Sequence, residues 1–129
     1  MTTNNKSKNH TNFTVSIESA TDVTTGVSVK DRLTTIQKAS NINAKPEDIV
    51  SHGHVFLLVA KDNGVVDREG HTEATYDMMK IANTGECGVL CELTNSDGTM
   101  MKGKDIYNYA KKYNLPVISV NEIKIYRSL

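Results

Sequence analysis

The sequence predicts an α+β domain with α/β-like alternation: a mixed β-sheet with helices packed on it. Three observations carry that expectation. Apolar and polar residues alternate from Phe13 to Glu18, the period of a strand with one buried face. Apolar residues recur at Ala74, Met78, Ile81 and Ala82, the spacing of a helix with one buried face. Segments of the two kinds then follow one another along the chain, so that helices must lie against strands.

Taken in order, residues 1–12 are polar and read as a flexible arm, followed by a single domain over 13–129. Phe13, Val15 and Ile17 form the inward face of the first strand. Thr24, Thr25 and Gly26 lie in a loop, and Ser28 with Asp31 three positions later resembles a capping box, opening a helix with Leu33, Ile36 and Ala39 inward. Val55 to Ala60 is short, apolar and bounded by turns, as a buried strand would be. His52 and His54 precede it, two apart and on one side of an extended chain. They could share a ligand, or be one structural and one exposed histidine, since no third donor stands at metal spacing. Gly88 to Leu93 reads as another strand, Asn95-Ser96-Asp97-Gly98 as a turn, and Ile106, Tyr109, Ala110 and Tyr113 as an inward helical stripe. A strand over Val117–Val120 and a helix over Asn121–Arg127 close the chain.

Composition narrows the function. The 129 residues carry 15 basic and 15 acidic side chains, which gives no reason to expect nucleic acid or an anionic membrane as a partner. No apolar run is long enough to span a bilayer or to serve as an export signal, so a cytoplasmic location is expected. Cys87 and Cys91 match no zinc spacing and read as small buried apolar residues.

Two places stand out chemically. Arg68-Glu69-Gly70-His71-Thr72 falls at the entrance of the helix marked by Ala74 and Met78. A helix N-terminus offers unpaired N–H groups and a partial positive charge, Gly70 lets an anion approach, Arg68 brings a fork of donors, and His71 can bind a metal or move a proton. The same residues would also suit an ordinary capped helix. Glu92 ends an apolar strand, where desolvation would raise its pKa towards the range useful for proton transfer; a gatekeeping charge on an edge strand is the alternative.

The strings F-T-V-S-I-E (Phe13 to Glu18), V-T-T-G-V-S-x-x-D-R-x-T-T (Val23 to Thr35), G-H-V-F (Gly53 to Phe56), R-x-G-H-T-E-A (Arg68 to Ala74) and C-E-L-T-N-x-D-G-T-M (Cys91 to Met100) occur in this order. Together they resemble the 3,4-dihydroxy-2-butanone 4-phosphate synthase family of riboflavin biosynthesis. The resemblance implies a carbon–carbon lyase that converts D-ribulose 5-phosphate to dihydroxybutanone phosphate and formate, with Mg2+ or Mn2+ as cofactor. It implies that His71 ligates the metal and takes part in catalysis with Glu92. Arg68, Gly70, Thr72, Glu92, Thr11 and His54 would meet the sugar phosphate, His54 by serving the neighbouring site of a homodimer.

The chain corresponds to roughly the last three-fifths of the family's length, a truncated domain. It lacks the acidic D-R-E-N-E-G-D type of loop that supplies the family's other metal carboxylates. Leu57, Ser51-His52, Ile81-Ala82-Asn83 and Glu86 also replace backbone-fixing residues usual in the family. Activity is therefore expected to need the acidic segment from a separate polypeptide or a longer natural product, and the chain is expected to form a homodimer or to associate with a chain that supplies that segment. The alternative is a non-catalytic remnant that binds sugar phosphate or pairs with a full-length subunit.

Overall fold

The computed structural model describes Lys6, Lys8, Asn9 and residues 11–129; the expected arm at 1–12 lies largely outside the described residues. The chain forms two compact units, Met1–Ala60 and Lys61–Leu129.

In the first unit, strand β1 (Phe13–Ser19) pairs antiparallel with strand β2 (Ile49–Leu58), and helix α1 (Val29–Ala39) lies against both. α1 starts where the sequence places it. Ser28 Oγ accepts the N–H of Asp31 at 3.0 Å, satisfying a donor that the helix itself cannot. Its inward residues are polar, however: Asp31 and Thr35 are buried while Leu33 is half exposed, in place of the expected Leu33–Ile36–Ala39 stripe. The reason is local. Thr35 Oγ1 accepts the Ser19 N–H at 3.0 Å, and the Asp31 carboxylate accepts from Thr24 Oγ1 at 2.8 Å and from the Gly26 N–H at 3.1 Å. Hydrogen bonding to strand and loop, and not apolar burial, sets this face.

The sheet also differs from expectation. Among the described residues it has two strands, so it is antiparallel and not mixed. β2 takes in His52–His54 as well as the apolar run, and it is not a buried strand: Phe56 is 67% exposed. On β1, Ile17 is buried but Phe13 and Val15 are half exposed. A strand with one neighbour and one covering helix keeps much of its surface open.

In the second unit, a 3₁₀ turn (Gly64–Val66) leads into helix α2 (His71–Ile81), followed by α3 (Lys104–Tyr113) and α4 (Val120–Arg127). The turn, α2 and α4 pack together around Val65, Ala74 and Ile123. Val65 is fully buried. Asp77 of α2, also fully buried, ties the three pieces: its carboxylate accepts the Val65 N–H at 2.8 Å and Arg127 Nη1 of α4 at 2.8 Å. α3 ends at Asn114 in the left-handed conformation, with Pro116 beyond; only Ala110 of its stripe is buried, and Tyr113 is half exposed.

Two expected strands do not form. Gly88–Leu93 is irregular, and Thr94 makes a single bridge to Met100 around the expected Asn95–Gly98 turn. Val117–Ile118 is irregular and Val120 opens α4, because Ser119 and Glu122 form a reciprocal capping box at that point. A strand needs a neighbour for its N–H and C=O groups, and neither segment has a partner ladder among the described residues. Cys87 and Cys91, expected to be buried, are exposed for the same reason.

Candidate active site

The Arg68–Thr72 segment sits where the sequence puts it. Gly70 is the N-cap of α2 and His71 its first residue, so the imidazole stands at the positive end of the helix. Gly70 makes no side-chain cap. What it makes room for is Arg68: a Cβ at this position would come within 2.3 Å of Arg68 Nη1 and 2.7 Å of Glu73 Oε2. The guanidinium folds back over Gly70 and bonds Glu73 Oε2 at 2.5 Å, while Glu73 Oε1 accepts the Lys61 N–H at 3.2 Å. Glu73 is buried and Arg68 largely so. The glycine is thus required by an internal ion pair, where the sequence suggests an opening for an anion. A clamped guanidinium is a rigid set of donors, which a freely rotating arginine is not. Glu69, next in line, is paired with Lys124 of α4, so the last helix holds the entrance of α2 from a second side.

His71 and Glu92 are brought together. Both line an open groove of about 460 Å³ within the second unit, together with Thr75, Cys91 and a largely apolar wall that includes Met78, Met79, Leu90, Met100 and Met101. Glu92 reaches it from the irregular segment and not from a strand end, and it is exposed. The burial expected of a carboxylate at an apolar strand end is therefore absent. Thr72 follows His71 in the first turn and is half-buried.

Thr11 and His54 belong to the first unit. Thr11 is half-buried before β1 and its carbonyl accepts the Phe13 N–H at 3.0 Å. His54 Nδ1 lies 2.6 Å from Glu18 Oε2. The hydrogen bond from His54, seconded by the Thr35 hydroxyl, holds the Glu18 carboxyl below its ordinary range. Sequence reasoning gave no role to Glu18, Glu73, Asp77 or Lys124. Glu73 carried a signal, since it occupies the third helical position, where an acidic residue serves the N-terminus. The other three are joined to their partners only by the fold.

Among the described residues no three His, Cys, Asp or Glu side chains gather as a metal cage. His71 offers one nitrogen donor. Magnesium takes oxygen ligands in near-octahedral array, so this set does not by itself fit the ion.

Comparison with known proteins bears on the whole chain. A family model described as 3,4-dihydroxy-2-butanone 4-phosphate synthase matches residues 1–126. The synthase of Vibrio harveyi is 52% identical over 128 residues, which are 99% of this chain and 56% of that protein. Among solved structures, RibBX, a two-domain synthase from A. baumannii, superposes with a TM-score of 0.90 at 35% identity, over 98% of this chain and 37% of that one. A synthase in complex with two magnesium ions superposes with a TM-score of 0.84 at 27% identity, over 95% of this chain and 62% of that one. The chain spans a little over half the length of the curated relatives it matches. With a model match over nearly every residue and an α+β fold shared with solved synthases, the chain belongs to the 3,4-dihydroxy-2-butanone 4-phosphate synthase family.

Proposed function

We propose that this chain supplies the substrate side of a 3,4-dihydroxy-2-butanone 4-phosphate synthase site, acting on D-ribulose 5-phosphate when a second polypeptide segment brings the acidic residues that the described part does not hold. The observation that carries this reading is the shared groove of His71 and Glu92. An imidazole at a helix N-terminus and a carboxylate facing the same space form an acid–base pair of the kind that enolisation of a keto sugar requires. The clamped Arg68 and the N–H groups at the start of α2, with Thr72, suit the phosphate or the oxyanions of the substrate. Gly70 serves this arrangement by admitting Arg68. Thr11 and His54, from the first unit, are proposed as further contacts to the sugar phosphate, His54 in the neighbouring site of a homodimer.

His71 is the donor this chain offers to magnesium or manganese. The described residues hold no oxygen cage for either ion, so no step is routed through a metal here. The apolar wall of the groove is not a surface for a sugar phosphate. It is the sort of surface that another segment of protein covers, which supports association with the part of the fold that the relatives carry in their remaining length.

Formate release from D-ribulose 5-phosphate with magnesium tests the proposal. The chain is assayed alone and mixed with the N-terminal portion of the Vibrio harveyi relative. Formate is expected on mixing, with a loss of about 10²–10⁴-fold in Glu92→Gln and in His71→Ala. Retained ribulose 5-phosphate binding without formate in any mixture would replace it with a non-catalytic, sugar-phosphate-binding role, a reading that the substitutions at Leu57 and Glu86 favour.

A further inference from the structure

The register of the two strands breaks twice, between Phe13 and Ser16 and, by more residues, between Ile17 and Glu18. Val55 opposes Ile17 and Val50 opposes Glu18, so residues 51–54 are extra on β2 and bulge out of the ladder. Such bulges re-aim side chains. This one is pinned against β1: the Gly53 N–H donates to Ser16 Oγ at 3.1 Å. The residue that it re-aims is His54, whose Nδ1 then meets Glu18 Oε2 at 2.6 Å.

Glu18 is itself held from behind. Thr35, fully buried on α1, donates its hydroxyl to Glu18 Oε1 at 3.1 Å while the same oxygen accepts the Ser19 N–H at 3.0 Å. With the Thr35 oxygen committed to the Ser19 N–H, its hydrogen is left for Glu18. Gly26 covers the pair closely enough that a Cβ there would fall 1.9 Å from Glu18 Oε2 and 2.7 Å from His54 Nδ1. The side chain of Glu18 is 12% exposed and that of His54 46% exposed. A nearly enclosed carboxylate thus faces the Nδ1 edge of a half-exposed ring. The remaining charged neighbour from α1, Asp31, is committed to Thr24 and Gly26.

We propose that Glu18 is the positioning residue of His54: it takes the Nδ1–H, fixes the ring, and leaves Nε2 as a proton acceptor. Which ring nitrogen carries the proton is set by the bond the other makes, and a carboxylate can only accept. Neutral His54 therefore carries its proton on Nδ1. Ser19, Thr35, Glu18 and His54 form one line of hydrogen bonds running from a strand N–H to a half-exposed imidazole. The use of Nε2 on a hydroxyl of the sugar phosphate rests on the synthase reading; the orientation of the ring does not.

The test is ¹⁵N spectroscopy of the histidine ring nitrogens in the 129-residue chain, at a pH where the rings are neutral, with His54 assigned by its loss in His54→Gln. Wild type and Glu18→Gln, whose amide oxygen still accepts, are expected to show the proton on Nδ1, and Glu18→Ala is expected to move it to Nε2. A proton on Nε2 in the wild type, or on Nδ1 in a folded Glu18→Ala chain, would overturn the proposal. If Glu18→Ala does not fold, the other two spectra decide.

In the mixture that releases formate, Glu18→Ala should lower kcat about tenfold to a hundredfold, with recovery in Glu18→Gln. An unchanged kcat per folded molecule would reduce Glu18 to a strand-edge residue and sink the positioning role. Failure of every mixture to release formate would sink the synthase reading, while the ring spectra would still decide the role of Glu18.

Discussion

The first unit keeps Glu18 and Asp31 beside a two-stranded ladder and pairs them with hydroxyls, a histidine and loop N–H groups; the second buries Glu73 and Asp77 under α2 and pairs them with arginines and backbone. Both have little apolar core, Ile17 in one and Val65, Ala74, Ala110 and Ile123 in the other. Polar burial makes up the difference in each, by different chemistry. Neutral partners cost little to bury and tolerate change. Charged partners are expensive to desolvate, and removing one strands the other. The second unit should therefore be the more brittle.

Asp77→Ala should break it most. Arg127 would lose its partner and the Val65 N–H its acceptor, at a cost of about 3–5 kcal/mol. Urea unfolding followed at residues of the second unit measures this. A loss below about 1 kcal/mol would show that the ion pair does not hold the unit together.

In the first unit the comparable single change is smaller. Ser28→Ala removes the cap of α1, for about 1 kcal/mol, within a range of roughly 0.5–2. The same denaturation, read at residues of α1, is expected to show it. A loss as large as that of Asp77→Ala would erase the contrast between the units.

The mildest effect is one of pH. His54 and Thr35 lower the pKa of Glu18, and Thr24 with the Gly26 N–H lowers that of Asp31. A carboxyl depressed in the folded state adds stability that is complete above its ordinary value of about 4 and is lost as pH falls through the folded value. Stability of the first unit should hold from neutral pH down to about 4 and decline below it. Asp31→Asn should flatten that decline, and acid titration of the α1 amides would detect either result.

The parts legible in the sequence were those decided within a few residues. The start of α1 at Ser28, the start of α2 around Gly70 and His71, the helix over Ile106 to Tyr113 and the closing helix depend on caps and periodicity, and all are present. The strands over Gly88–Leu93 and Val117–Val120 were not legible, because alternation describes what a segment could pair with and not whether a partner is there. The site followed the same division. Arg68, Gly70, His71 and Thr72 are neighbours in sequence. The link from Glu18 to His54 spans 36 positions and needs the bulge in β2 to form.

The contact between Arg127 and Asp77 spans 50 positions, and Lys124 reaches Glu69 across 55. During synthesis α2 leaves the ribosome well before the helix that neutralises its buried carboxylate. The ladder of the first unit, with every strand inside the first sixty residues, can close while translation continues. Nascent α2 must wait with Asp77 bonded to the Val65 N–H but lacking its arginine, so a chaperone that screens new chains would meet the second unit incomplete and the first already shut.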